Sequence, residues 1–150
     1  MPELTVRPAT LDDESAVLAL IEELFDPPGA RAPGYTRERG STGFKYAVHD
    51  RDADVLLAVE GERIVGLASV YADILSIRYG PRCWLQDLIV TASHRGRGAG
   101  GRLLNAASDW ARERGCTHLE LASGAGRKDA HRFYLREWML QAYNFSKQIE

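Results

Sequence analysis

The sequence predicts a mixed α/β or α+β domain whose sheet is not purely parallel. Two observations carry this: helical patterns interleave with apolar strand-like runs, and two hairpins lie among them. Leu4, Val6 and Pro8 alternate with polar residues, so a first strand is expected near 3–9. Asp12 or Asp13 can cap a helix whose apolar positions are Ala16, Val17, Leu20, Ile21, Leu24 and Phe25, the 3.6-residue period. Pro27, Pro28 and Gly29 end it. Residues 26–43, rich in Pro, Gly and Arg, show no period and read as a long loop, with a short helical segment over 43–50. Val55–Val59, the turn "EGER" at 60–63 and Ile64–Tyr71, extending toward Leu75, form a hairpin. A second break at 77–82 leads to an apolar strand, Trp84–Val90. A helix over about 99–114 carries Leu103, Leu104, Ala107, Trp110 and Ala111 on one side, and Gly115 suits its C-terminal cap. A strand at His118–Ala122, a last helix near 127–137 and a final strand at Tyr143–Ile149 complete the chain.

The 150 residues fit one domain, 1–150. Hydrophobic residues make up 45% and charged residues 27%, enough for an ordinary core. A formal charge of −2 gives no pull toward nucleic acid or membrane. The opening "MPELTVRPATLDDES" lacks a signal-peptide pattern, and no apolar run approaches the roughly 18 residues of a membrane span. Cys83 and Cys116, at no metal-ligand spacing, read as reduced, buried thiols in strand contexts of a cytoplasmic protein. The four histidines show no metal spacing either, so no metal site is expected.

The most informative stretch is "SHRGRGAGGRLL" at 93–104. Gly96, Gly98, Gly100 and Gly101 fall within six positions, after a strand and at the start of a helix. A plain turn needs one or two glycines. Backbone N–H groups and the helix dipole make such a place an anion site. Arg95, Arg97 and Arg102 add positive charge. Gly96-x-Gly98-x-x-Gly101 also satisfies the dinucleotide fingerprint, with Glu120 near the ribose position. Only about one βαβ unit follows, too little for a nucleotide-binding sheet. No Gly-Lys-Ser/Thr follows, which excludes a Walker loop. The basic tract is too short, in a slightly acidic chain, to argue for nucleic acid.

Arg95-x-x-Gly98-x-Gly100 after "LQDLIV" resembles the pyrophosphate-binding signature of the GNAT superfamily of acetyl-CoA-dependent N-acetyltransferases. The resemblance extends to the opening "LTVRPATLDDESAVLALIEEL", the hairpin "LLAVEGERIVGLASV" and the closing "DAHRFYLREWMLQAYNFSKQI". It covers most of the chain, is weakest at 26–50, and implies a mostly antiparallel central sheet flanked by helices. The run "DAHRFYLRE" is also similar to aminoalkylphosphonate N-acetyltransferases. Trp138-Met139 departs from the Gly-aromatic pair that the family places after this helix, which bears on the acceptor pocket.

The resemblance implies acetyl-CoA as cosubstrate, with its pantetheine arm along Leu88, Ile89 and Val90, one of whose N–H groups polarises the thioester. The pyrophosphate would rest on the amides of Arg97, Gly98, Ala99, Gly100 and Gly101, with Arg95 close by. Arg127 stands where the family often has an Asn contacting coenzyme A; it reads as a cofactor contact or a solvated charge. Tyr134 occupies the position of the family's general acid; a tyrosine pKa near 10 suits protonation of a leaving thiolate. A packed aromatic with an ordinary hydrogen bond is the plain alternative. Asp87 interrupts the apolar "WLQDLIV", and an unpaired buried carboxylate is costly. It either binds the acceptor ammonium or takes its proton through water, or it is tied to an Arg or a backbone N–H. Gln86 points to the opposite face unless the strand is bulged. His131 reads as structural and His94 as solvated.

Acceptor specificity is expected from 26–50 and 72–82, where Arg31, Arg37, Arg39 and Lys45 of the first segment suit an anionic substrate or form a solvated basic loop. The expected function is acetyl transfer to a primary amine of a small molecule, an aminoalkylphosphonate or other anionic amine. The alternatives are an acetyl-CoA-binding regulatory module and a peptide or protein N-acetyltransferase. The family also implies a homodimer; no nucleic-acid or membrane partner is expected.

Overall fold

A computed structural model describes residues 2–137 and 139–149. Trp138 therefore lies outside the described residues. The elements are β1 (Leu4–Pro8), α1 (Glu14–Glu23), α2 (Arg37–His49), β2 (Ala53–Glu60), β3 (Arg63–Ser76), β4 (Gly80–Val90), α3 (Ala99–Glu113), β5 (Leu119–Glu120) and α4 (Lys128–Arg136). Single 3-10 turns precede α1, at Leu11–Asp13, and follow β4, at Ala92–His94. The five strands lie in the order β1-β2-β3-β4-β5, antiparallel except for β4–β5. The mixed, mostly antiparallel sheet flanked by helices is thus the architecture of the chain. No helix of the described residues is long and apolar enough to cross a membrane.

Helices cover both faces of the sheet, which is why β2 reads as a continuous apolar run rather than an alternation. On one face Val55, Leu57, Val59, Leu67 and Ile89 pack with Val17 and Leu20 of α1 and Phe44 and Ala47 of α2. On the other, Leu56, Ala58, Val65, Ala68, Val70 and Leu85 pack with Leu103, Leu104, Ala107 and Trp110 of α3. Gly66 permits the close seating of α3 over β3 and β4. A Cβ there would stand 2.8 Å from the Ile89 carbonyl oxygen and 3.2 Å from Leu103 Cδ1. Gly66→Ala should therefore destabilise the protein by about 1–3 kcal/mol, as overpacking does. The expected result is a lower denaturation midpoint with an unchanged slope.

Several boundaries differ from the sequence expectation. The helix expected over 43–50 begins at Arg37, started by Thr36, whose Oγ1 accepts a hydrogen bond from the Arg39 N–H at 3.1 Å. Asp13 does precede α1, yet its carboxylate reaches back to the Thr10 N–H at 2.8 Å and to the Arg7 guanidinium at 2.8 and 3.0 Å. The Arg7 hydrogen bonds hold its pKa down at about 2. Cys83 is buried in β4, but Cys116 is half-buried in the loop after α3 rather than in a strand. The final strand expected at Tyr143–Ile149 does not form: residues 139–149 carry no regular structure, and Leu140, Tyr143, Phe145 and Ile149 are exposed. An alternating pattern becomes a strand only when an edge accepts it, and the two-residue β5 offers little edge.

Candidate active site

β4 and β5 are paired only at Cys83–Leu119 and Trp84–Glu120, after which the chains part. The gap is a cleft of about 650 Å³. Residues 85–90 of β4 form one wall, and residues 121–124 with the first turns of α4 form the other. The glycine loop closes one end, and Leu24 and Pro28 border it from the segment after α1. Beyond Trp84 the β5-facing backbone groups of β4 lack a partner strand, and apart from the Val90 carbonyl, which accepts from Arg95, they are open to an extended ligand.

At the glycine end Gly96 and Gly98 have φ of 78° and 87°, the left-handed region that glycine tolerates. Gly98 is the residue before α3, with no side-chain cap, and the first helical bond runs from the Arg102 N–H to the Gly98 carbonyl at 3.1 Å. The N–H groups of the first turn thus remain available at the positive end of the helix dipole. Gly98, Ala99 and Gly100 line the cleft, and Arg95 joins them while donating from Nε to the Val90 carbonyl at 2.9 Å. Arg97 and Gly101 do not line it. Arg97 is exposed, and Gly101 is turned toward α4, where a Cβ would lie 3.5 Å from Glu137 Oε1. Gly100 faces the Phe133 ring, which a Cβ would meet at an ordinary contact distance of 3.4 Å. Glu120 pairs with Arg82 at 2.8 Å rather than facing the glycine loop, which removes the dinucleotide reading.

Asp87 owes its position to a bulge. Ser69 pairs with Asp87 and Val70 with Leu85, which leaves Gln86 without a partner in β3. The extra residue shifts the side-chain alternation. Leu85 and Leu88 therefore both belong to the α3 face, while Asp87 joins Ile89 on the face of α1 and α2. Gln86 is exposed at the cleft and accepts a hydrogen bond from Trp84 Nε1 at 2.7 Å. The Ser69 hydroxyl donates to Asp87 Oδ2 at 2.7 Å, and the Asp87 N–H donates to Ser69 Oγ at 3.0 Å. Burial pushes the Asp87 carboxyl above the ordinary carboxylate range, and the Ser69 hydrogen bond opposes that. No arginine pairs with it among the described residues.

Tyr134 lines the same cleft from α4. Its hydroxyl has no hydrogen-bond partner among the described residues. Burial raises its pKa and the Arg127 charge lowers it, with burial prevailing, so the phenol is protonated at neutral pH. Arg127 also lines the cleft, and its Nη2 donates to the Leu24 carbonyl at 2.9 Å, across the gap to the end of α1. Ser123, at the cleft wall, has a buried Oγ with no hydrogen-bond partner among the described residues. His131 takes a structural place, with Nε2 2.9 Å from the Gly124 carbonyl. His94 is not the solvated residue expected: its side chain is nearly covered, lines the cleft and stands 3.8 Å from Glu60. Burial pushes the Cys83 thiol up to about 11, which leaves it inert as a nucleophile.

The basic segment does not reach the cleft. Arg37 binds Glu22 through two hydrogen bonds of 2.8 and 3.0 Å. Arg31 donates to the Tyr35 carbonyl and lies over the Tyr35 ring, and Arg39 donates to the Gly34 carbonyl. Lys45 is exposed on α2. Arg31, Arg37 and Arg39 thus tie the segment to itself and to α1. Two residues that the sequence reading passed over do belong to the site, Ser69 beside Asp87 and Ser123 at the cleft wall, and Gln86, expected on the opposite face unless the strand is bulged, is brought to the cleft by the bulge. Ser69 is 18 residues from Asp87 and becomes its neighbour only through strand register.

A cleft between parting strands, with an uncapped glycine-rich helix start beside a buried carboxyl and a free phenol, is what the comparisons with known proteins now put in context. Residues 17–138 match the model of the acetyltransferase (GNAT) family. The chain belongs to that family. It is an N-acetyltransferase, and acetyl-CoA is its cosubstrate. It is 33% identical to an aminoalkylphosphonate N-acetyltransferase of Salmonella typhimurium over 99% of this chain and 94% of that one. A 77-residue match of 44% identity links it to an uncharacterised N-acetyltransferase of Bacillus subtilis, YhdJ, over 50% of this chain and 54% of the relative. Among solved structures, one described as a transcriptional regulator from Bacillus halodurans superposes with a TM-score of 0.81 at 25% identity, over 99% of this chain and 100% of that chain.

Proposed function

We propose that this GNAT acetyltransferase moves the acetyl group of acetyl-CoA to the primary amine of a small anionic acceptor, of which an aminoalkylphosphonate is the type compound. The observation that carries the reading is that Asp87 and Tyr134 line one cleft with the open N-terminus of α3. The resemblance over nearly the whole length to an aminoalkylphosphonate N-acetyltransferase supports the acceptor class.

In this reading the amides of Gly98, Ala99 and Gly100 hold the pyrophosphate with Arg95, and the free edge of β4 at Leu88, Ile89 and Val90 holds the pantetheine arm. A backbone N–H of that edge polarises the thioester carbonyl as negative charge develops on its oxygen. The acceptor enters as an ammonium beside Asp87, which binds it and takes its proton directly or through water. The neutral amine attacks the carbonyl carbon, the C–S bond breaks, and Tyr134 gives its proton to the departing thiolate. Holding amine and thioester together supplies much of the rate. We place the enzyme in the cytoplasm, where Cys83 and Cys116 remain thiols, and expect a homodimer, for which the exposed Tyr143, Phe145 and Ile149 offer apolar surface.

Thiol release from acetyl-CoA tests the reading on 2-aminoethylphosphonate, an amino acid, a polyamine, an aminoglycoside and a lysine peptide. The expected result is strongest turnover with the phosphonate. Turnover confined to the peptide or the aminoglycoside overturns the acceptor class, and so does the absence of release with the phosphonate.

A further inference from the structure

The bulge in β4 sets an amide beside the Asp87 carboxyl. Trp84 pairs with Tyr71, which packs against the α1–α2 face of the sheet, the face that Asp87 shares. Trp84 Nε1 donates to Gln86 Oε1 at 2.7 Å, which turns the Gln86 side chain to the Trp84 side of the strand. Chemistry settles which way the amide is turned. An indole N–H only donates, so the atom it meets is the carbonyl oxygen. The NH2 group, with its two N–H donors, then has no partner among the described residues. Gln86 is exposed and lines the cleft next to Asp87. The indole is itself held. The Arg82 guanidinium lies 5.6 Å from its ring centre and pairs with Glu120 at 2.8 Å.

We propose that Gln86 selects among amines: its Nε2 donates to an oxygen of the acceptor while Asp87 takes the ammonium, and Trp84 is a positioning residue that keeps the amide turned that way. The inference rests on the acceptor reading above and names the residue that would choose within that class. With Oε1 committed to the indole, Gln86 offers the cleft donors alone. A phosphonate, phosphate or carboxylate oxygen accepts from them. The second ammonium of a diamine would meet N–H against N–H, which leaves both unpaired and rejects that acceptor. An amide without the indole turns over and serves either ligand, so the Trp84 bond is what makes the choice. Position fits a short acceptor. Gln86 and Asp87 are consecutive and line the same cleft, so the ammonium and the recognised oxygen lie only a few bonds apart. Arg95 and the open start of α3 remain for the pyrophosphate at the glycine end.

The test compares kcat/KM for 2-aminoethylphosphonate, propylamine and 1,3-diaminopropane in the wild type, Gln86→Leu, Gln86→Glu and Trp84→Phe, with acetyl-CoA affinity measured by calorimetry in each. The wild type should rank the phosphonate first and the diamine last. Gln86→Leu should reduce the preference for the phosphonate over propylamine by about 10–100-fold, the effect of one hydrogen bond to a charged group. Gln86→Glu still accepts from the indole but presents a carboxylate, so it should lose that preference and favour the diamine. Trp84→Phe keeps an aromatic ring and frees the amide. The gap between phosphonate and diamine should then narrow by about 5-fold, through KM rather than kcat. Full preference retained in Gln86→Leu overturns the role of Gln86. So does a loss of equal size for every amine, the mark of a residue that only supports the strand. A marked loss of acetyl-CoA affinity in Gln86→Leu overturns it in favour of a cofactor contact. A gap unchanged in Trp84→Phe overturns the part given to the indole. A wild type without preference for the phosphonate overturns the acceptor class and the selection with it, while transfer to propylamine leaves the acetyltransferase assignment standing.

Discussion

Asp87→Asn should lower kcat/KM for the acceptor by about 10²–10⁴-fold, the range of a lost general base, while raising the melting temperature. Both effects come from one placement. The carboxyl sits on the α1–α2 face of β4, largely out of water, with the Ser69 hydroxyl as its polar partner among the described residues. The folded protein therefore holds this group above its ordinary value of 3.8. Between 3.8 and the raised value the folded state binds more protons than the unfolded state, so stability falls as pH rises through that window. Above it the deficit is constant. Asparagine removes the deficit, so the gain in melting temperature should be complete at pH 7–8 and absent below about 3.8. A purely structural carboxylate, stabilised by its partners, would give the opposite sign. Activity supplies the second readout. The acidic limb of kcat/KM should lie above the ordinary carboxylate range, and Ser69→Ala should move it further up by removing the hydrogen bond that favours the charged form. A limb that stays put in Ser69→Ala would exclude Asp87 as the titrating group.

The fold was legible where side-chain period and burial agree, as in α1, α3 and the β2–β3 hairpin. It was less legible in α2, whose first half, "RERGSTG", offers no apolar face; Phe44 and Ala47 anchor its second half to the sheet. The tail misled in the other direction. "YNFSKQI" alternates like a strand, but alternation states a preference and an edge decides the outcome. At the site, Asp87 and the glycine loop stand out because each breaks a local rule, a charge in an apolar strand and glycines crowded before a helix, while Tyr134 stands out only through the family resemblance; all of them line the cleft. The bulge at Gln86 depends on how β3 and β4 align and leaves no mark in either strand alone. The basic segment failed as an acceptor site for the same reason. Arg37 looks unpaired in its own stretch, yet Glu22, one helix earlier, is its partner.

Tyr134→Phe tests the phenol as the proton donor to the departing thiolate. Turnover should fall by about 10²-fold or more while acetyl-CoA affinity stays within about twofold, since the variant removes one proton donor and leaves the ring in place. The geometry favours a loss confined to kcat. Tyr134 lines the cleft and its hydroxyl makes no hydrogen bond among the described residues, so removing it breaks no such bond and should leave the melting temperature nearly unchanged. A tyrosine kept only for packing would show normal turnover in the phenylalanine variant, because the aromatic ring is conserved. The pH profile adds a sign. Burial holds the phenol above its usual 10.0, so the wild type should keep its activity through mildly alkaline pH and lose it only as Tyr134 ionises. In Tyr134→Phe that alkaline limb should disappear along with most of the rate. If the limb persists unchanged, the proton reaching the thiolate comes from another group, and Tyr134 serves the cleft as a wall.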